Sequence, residues 1–95
     1  MTNNIPEISF ITICYNGFKD TCELIESLQN KIHSIRYETI VVDNASREYE
    51  AAKIREHYPS VIAIGSNENK GCCGGNSIGM REAKGKYSFQ LTNNT

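Results

Sequence analysis

Four short runs of apolar and β-branched residues alternate with three segments that carry apolar residues at helical spacing. The first run, Ile8 to Cys14, is apolar at successive positions, which is typical of a strand buried on both faces of a sheet. The other three runs are Glu38 to Asp43, Val61 to Ile64 and Tyr87 to Leu91. The chain therefore predicts a βαβαβαβ order, with right-handed crossovers and a parallel sheet covered by helices.

The first two intervening segments predict amphipathic helices. Asp20, with Glu23 three residues later, fits a capping box at the start of the first helix. Ser46 is suited to cap the second helix, and Pro59 ends it. The apolar positions are Phe18, Cys22, Ile25, Leu28 and Ile32 in the first helix and Ala51, Ile54 and Tyr58 in the second.

A glycine-rich segment, Gly71 to Gly75, predicts a loop that opens the third helix, which runs from about Asn76 to Lys84 and ends before Gly85. Backbone N–H groups of such a loop can approach an anion at the helix amino terminus. The alternative is a surface loop whose glycines only make tight turns. The segment matches neither the GxGxxG dinucleotide fingerprint nor a phosphate-binding P-loop.

Composition limits the classes of protein to which the chain can belong. Ninety-five residues predict one domain, residues 1–95, and 39% hydrophobic with 22% charged residues is ordinary for a globular protein. A net charge of −1 argues against a nucleic-acid partner. No apolar run approaches the roughly 18–20 residues of a membrane span, and no secretory signal is evident. Four cysteines without a CxxC motif predict reduced thiols and a cytoplasmic location.

Polar residues cluster where the predicted strands end. Tyr15 and Asn16 follow the first strand, and Asp43 and Asn44 end the second. Because ligands of open parallel sheets bind beyond the carboxyl ends of the strands, these residues predict a binding site. Polar segments at residues 67–75 and 92–95 follow the third and fourth strands.

Asp43 has two interpretations, which the sequence leaves open. A carboxylate at the sheet edge can accept hydrogen bonds from a base N–H or a sugar hydroxyl, and it can equally form a turn or cap a helix. On the first interpretation, Asp43→Ala abolishes nucleotide binding with little change in melting temperature. On the second, it lowers stability and leaves binding intact.

Several stretches, taken in order, resemble the amino-terminal half of a family 2 glycosyltransferase with the GT-A fold. They are residues 8–17, 38–46, 67–79, 83–87 and 91–95. The loop is similar to that of the rhamnosyltransferase-like branch, in which it reads Asn-x-Gly-x-x-Gly-Gly-Asn. The resemblance implies a Rossmann-like α/β fold with a four-stranded parallel sheet of order 3-2-1-4 and helices on both faces.

The resemblance also implies a function. Such enzymes bind a nucleotide-diphospho-sugar, linked to UDP, dTDP or GDP, and transfer its sugar to an acceptor hydroxyl, here with inversion and in cell-surface polysaccharide biosynthesis. A cytoplasmic protein, membrane-peripheral through a partner at most, fits this role. The residues that the resemblance assigns to the nucleotide-sugar are Cys14, Tyr15, Asn16, Asp43, Asn44, Asn69, Gly71, Gly75 and Asn76.

The fourth strand of the family ends in an Asp that holds Mg²⁺ or Mn²⁺ on the diphosphate, and Asn94 stands at that position here. An amide carbonyl is a weaker ligand than a carboxylate for such a cation. The catalytic base and the acceptor-binding half are expected downstream of residue 95. The alternatives are a non-catalytic nucleotide-binding remnant and an interaction module, which could dimerise through the edge of the fourth strand.

Overall fold

The computed structural model describes residues 5–45, 50–66 and 71–91, without the side chains of residues 72 and 73. It confirms the predicted alternation of strands and helices, and the predicted strand bounds differ from the observed ones by at most two residues. The elements are β1 (Ile8–Cys14), α1 (Phe18–Lys31), β2 (Tyr37–Asn44), α2 (Glu50–His57), β3 (Ile62–Ser66), α3 (Gly71–Glu82) and β4 (Tyr87–Gln90).

The four strands form one parallel sheet of order β3-β2-β1-β4, which confirms the predicted fold class. β1 pairs with β2 along its whole length, from Ile8 opposite Tyr37 to Cys14 opposite Asp43. β4 pairs with the other side of β1. The strand order therefore reverses at β1, and a crevice is expected between the carboxyl ends of β1 and β4.

Helices cover both faces of the sheet, as the crossover rule requires. α1 and α2 pack on one face and α3 packs on the other, and each face has its own apolar cluster. The cluster under α1 and α2 contains Cys14, Ile25, Val41, Ala51, Ile54, Val61 and Ala63. The cluster under α3 contains Ile11, Ile40 and Val42, with Ile13, Ile62, Ile64, Ile78 and Ala83 packed against it.

The predicted glycine-rich loop is wrong, because α3 begins at Gly71 instead of Asn76. A Cβ atom at Gly75 would lie 3.1 Å from Cδ1 of Ile13, and one at Gly79 would lie 2.5 Å from Cγ2 of Ile11. Gly75 and Gly79 are four residues apart in a helix, a rise of about 6.0 Å, and Ile13 and Ile11 are two residues apart in a strand, a rise of about 6.6 Å. Because the two spacings nearly match, each glycine faces one of the consecutive β1 side chains that point toward α3. Close packing on β1 thus outweighs the low helix propensity of glycine.

The predicted capping box at Asp20 is also wrong. α1 begins at Phe18 with Gly17 as its N-cap residue, and no side chain caps it by a hydrogen bond. Asp20 lies within the first turn, where a negative charge still interacts favourably with the helix dipole.

A polar network fixes the connection from α3 to β4 at the amino ends of the strands. The Ser9 hydroxyl donates to Oε2 of Glu38 at 2.6 Å, and the backbone N–H of Lys84 donates to the same oxygen at 2.6 Å. The backbone N–H of Gly85 donates to Oγ of Ser9 at 2.8 Å. The Glu38 carboxylate and the Ser9 hydroxyl therefore link β1, β2 and the segment that leads into β4.

Ala45, directly after β2, has a φ of 67°. This left-handed conformation costs an L-residue about 1–2 kcal/mol, and glycine adopts it freely. We expect Ala45→Gly to raise the free energy of unfolding by up to about 1 kcal/mol, as measured by urea denaturation. The matched control is Ala52→Gly on the exposed side of α2, which should lower stability by about 1 kcal/mol. A loss of stability in Ala45→Gly would refute the strained turn.

Candidate nucleotide-binding edge

The carboxyl ends of β1 and β2 bring together the predicted site residues of both strands. Cys14 and Asp43 are neighbours in register, and Tyr15 and Asn16 continue directly from β1. Asn44 donates its side-chain amide to the carbonyl of Gly71 at 3.2 Å, which joins the start of α3 to this edge. The common location is observed, while the binding of a nucleotide there stays a prediction.

Asp43 is buried, with 1% of its surface exposed. Its Oδ2 accepts a hydrogen bond from the backbone N–H of Ala51, in the first turn of α2, at 3.1 Å. A carboxylate at that position satisfies an N–H that the helix cannot satisfy and interacts favourably with the helix dipole. This direct contact supports the capping interpretation of Asp43. We therefore expect Asp43→Ala to lower the melting temperature, in contrast to the near-constant value expected for a residue that only binds a ligand.

Cys14 is fully buried, and its thiol donates a hydrogen bond to Oε1 of the buried Glu50 at 2.9 Å. Burial, and then this hydrogen bond, raise the pKa of the Cys14 thiol to about 11. The thiol is therefore protonated at neutral pH and ties the end of β1 to the start of α2. Sequence reasoning missed Glu50, although its spacing of four from Ile54 places it on the apolar side of α2.

The raised pKa of Cys14 predicts how stability and reactivity depend on pH. Between about pH 9 and pH 11 the unfolded chain releases the thiol proton while the folded chain retains it, so the free energy of unfolding should fall as the pH rises. Alkylation of Cys14 by iodoacetamide, followed by peptide mass spectrometry, should be slower than alkylation of the less buried Cys22 at pH 8. Equal rates for the two thiols would contradict the buried, protonated Cys14.

Tyr15 and Asn16 lie at the surface of the edge, in contrast to Cys14 and Asp43. Tyr15 is 47% exposed. Asn16 has a φ of 54°, a left-handed conformation that asparagine tolerates better than most residues, so that the chain turns sharply at the end of β1. An accessible aromatic ring beside a turn of this kind can stack against a nucleobase.

The two glycines assigned to the site have different roles. Gly71 is exposed and has a φ of 73°, and among the described residues no atom lies within 4 Å of where its Cβ would be. Gly75 is buried against Ile13. Its lack of a side chain serves helix packing, and its predicted contact with a ligand remains untested.

Asn76 bridges α3 and β4, because its Nδ2 donates to Oε1 of Gln90 at 3.2 Å. Together with the Asn44 contact to Gly71, this bond fixes the amino-terminal half of α3 across the face of the sheet, from β2 to β4. Asn76 therefore lies beside the end of β4, next to where the crevice between β1 and β4 is expected. Sequence reasoning did not identify Gln90, because a single amide in an apolar strand carries no recognisable motif.

The described part of the edge does not fit a divalent cation. The described residues at the end of β4 are Gln90 and Leu91, which carry no carboxylate. Within residues 5–45, 50–66 and 71–91, no group of three or more His, Cys, Asp or Glu residues could hold a metal ion. The predicted site residues Asn69 and Asn94 lie outside the described residues.

A concave region lies at the opposite end of the sheet. It is a pocket of about 520 Å³ beside the starts of β1, β2 and β4, and no predicted site residue lines it. Its lining residues are Ile5, Glu7, Ser34, Ile35, Arg36 and Lys86. This pocket offers a direct comparison for any experiment that maps where a ligand binds.

Comparison with known protein families identifies the family of this chain. The profile described as "Glycosyl transferase family 2" matches residues 9–91, which is most of the chain. The chain belongs to glycosyl transferase family 2. The family predicted from the sequence is thereby confirmed, whereas the rhamnosyltransferase-like branch stays a prediction. A search of curated protein sequences finds no match.

The fold is also similar to that of a solved structure. The crystal structure of S. aureus TarS 1-349 superposes with a TM-score of 0.78 at 23% sequence identity. The match covers 90% of this chain and 27% of the TarS chain, so the present chain spans about a quarter of the length of that solved chain. At this identity the similarity supports the fold alone. Among the described residues, no helix combines the length and apolar character needed to cross a membrane.

Proposed function

We propose that this domain binds the nucleotide part of a nucleotide-diphospho-sugar and forms the donor-binding part of a glycosyltransferase. The observation that carries the proposal is the reversal of strand order at β1 in a family 2 chain, with Tyr15 and Asn16 directly after that strand. Ligands of open α/β sheets bind at such reversals. The whole reaction, transfer of the sugar to an acceptor hydroxyl with inversion, is part of the proposal.

The chemistry of the edge supports a nucleotide. Tyr15 offers an accessible ring for the base, and Gly71, at the amino end of α3, is exposed and accepts a hydrogen bond from Asn44. An amino-terminal helix end favours the negative charge of a diphosphate. Asp43 is assigned to the base by the family resemblance, but its buried carboxylate is engaged by α2, so we propose that it positions the turn after β2.

Metal-assisted binding remains a proposal that rests on the family. Mg²⁺ or Mn²⁺ would neutralise charge on the leaving diphosphate, and Asn94 is the residue assigned to it. Because an amide oxygen is a weak ligand for these cations, metal-independent binding without sugar transfer is the second candidate function. The Thr92-Asn93-Asn94-Thr95 segment, which contains no carboxylate, is the specific observation in favour of that candidate.

Calorimetry with UDP, dTDP, UDP-glucose and dTDP-rhamnose, each with and without Mn²⁺, tests the proposal. We expect a uridine or thymidine diphosphate to bind, and Tyr15→Ala to weaken binding about tenfold through lost stacking. The matched control is Tyr87→Ala, because Tyr87 is 60% exposed but lies at the amino end of β4. Failure of every nucleotide to bind, or equal effects of the two substitutions, would overturn the proposal. Binding that is independent of Mn²⁺ would favour the second candidate.

A further inference from the structure

An amide pair lies at the end of β4, at a position where sheet periodicity favours an apolar contact. One row across the α3 face of the sheet consists of Ile62, Ile40, Ile11 and Gln90, which are neighbours in register. Three isoleucines pack under α3, and the fourth position, at the end of β4, is instead a glutamine bonded to Asn76. Gln90 is exposed, so the pair borders both the apolar cluster and the protein surface at the end of β4.

The hydrogen bonding of Asn76 is incomplete. Its Nδ2 donates to Gln90, but its Oδ1 is enclosed and has no hydrogen-bond partner among the described residues. Buried carbonyl oxygens nearly always have a partner, because an unsatisfied acceptor loses its hydrogen bonds to water without replacement. An unsatisfied acceptor next to the exposed Gln90 is therefore suited to a hydrogen-bond donor supplied by a ligand.

The chemistry of the two side chains selects the part of the ligand that they can bind. Both are neutral amides, which donate and accept hydrogen bonds but carry no charge to offset a diphosphate. A hydroxyl group also donates and accepts, so it can donate to Oδ1 of Asn76 and accept from an amide N–H. Hydroxyls occur on the ribose and on the transferred sugar of a nucleotide-sugar, and both present the same chemistry.

We propose that Asn76 and Gln90 bind a hydroxyl of the donor's ribose or sugar ring, with Gln90 as a specificity-determining residue. This inference rests on the proposed function, since it assumes that the donor occupies the crevice. It adds the end of β4 to the residues that contact the donor and assigns a neutral, hydroxyl-recognising character to that part of the site.

Side-chain amide signals in ¹⁵N-resolved NMR spectra test this inference directly. UDP, 2′-deoxy-UDP and UDP-glucose are titrated separately, and the NH₂ signals of Asn76 and Gln90 are followed together with the backbone signals of Tyr15. We expect the two NH₂ signals to shift. A shift with UDP that 2′-deoxy-UDP does not produce identifies the ribose, and a shift that only UDP-glucose produces identifies the sugar.

Substitutions separate recognition from structure. Gln90→Leu extends the isoleucine row and should fold normally, while raising the Kd for the nucleotide that moves its signal about three- to tenfold. Ser88→Ala, on the same face of β4, is the matched control and should leave the Kd unchanged. The inference would be overturned, with the proposed function left intact, by either of two results. One is a shift of the Tyr15 signals without a shift of the two side-chain amide signals, and the other is an unchanged Kd in Gln90→Leu. Absence of any shift at Tyr15 would overturn the proposed function as well.

Discussion

Replacing Gly85 with alanine should be the most destabilising single-atom change in this domain. A Cβ at this position would lie 2.6 Å from Oγ of Ser9, 2.7 Å from its backbone nitrogen and 2.8 Å from the carbonyl carbon of Ile8. Two of these three atoms belong to the backbone of β1, which is paired with β2 on one side and β4 on the other. No rotation of a side chain relieves the overlap, so the strand or the turn must move.

The movement would also break the polar network at the amino ends of the strands. Gly85 donates to Ser9, and Ser9 donates to Glu38, which in turn accepts from Lys84. We expect a loss of about 3 kcal/mol or more, which is large against the roughly 5–15 kcal/mol typical of a domain. In thermal unfolding this corresponds to a decrease of about 12 °C or more in Tm.

Circular dichroism melting curves of three variants provide the measurement. Gly79→Ala should also be strongly destabilising, because Cγ2 of Ile11 lies 2.5 Å from the added atom and is fixed close to the strand backbone. Met80→Ala, at a half-exposed position one residue further along α3, should change Tm only slightly. Gly85→Ala with a Tm near that of Met80→Ala would show that the α3–β4 turn is not held against β1.

Asp43 should contribute more to stability than a residue dedicated to ligand binding would. Replacing it with alanine removes the acceptor for the Ala51 N–H, and the site is too buried for water to substitute fully. We expect Asp43→Ala to lower the free energy of unfolding by about 2 kcal/mol, from the lost cap and the unsatisfied N–H. Urea denaturation at pH 7 measures the effect.

Asp43→Asn separates the structural role from a role in binding. Asparagine caps helices about as well as aspartate, so stability should be largely retained. If the carboxylate contacts the base, Asp43→Asn should weaken nucleotide binding in a folded protein. If it only positions the turn after β2, binding should stay close to wild type. Retained stability in Asp43→Ala would contradict the cap itself.

The architecture was predictable from the sequence because its strands are short, apolar and β-branched. The run Ile8–Cys14 is found as β1 without any change of bounds, since no helical periodicity competes with it. The start of α3 was not predictable by the same logic. Its first five residues include three glycines, which local propensity assigns to a loop. Only the contacts of Gly75 and Gly79 with β1 show why a helix forms there.

The location of the candidate site was predictable to a similar extent, and its internal contacts were not. Parallel pairing brings the ends of β1 and β2 to one edge, which fixes Tyr15 and Asp43 as neighbours in the fold. Which side chains point inward depends on partners that are distant in the chain. Cys14 is 36 residues from Glu50, and Asn76 is 14 residues from Gln90, so neither contact leaves a local signal.

The central claim is that a nucleotide binds at the carboxyl edge of the sheet, and backbone amide mapping by NMR during a titration with UDP tests it most directly. We expect the largest shifts at Tyr15, Asn16 and Ala45, with little change at the starts of β1 and β4. Shifts confined to Glu7, Arg36 and Lys86, which line the pocket at the opposite end, would contradict the claim.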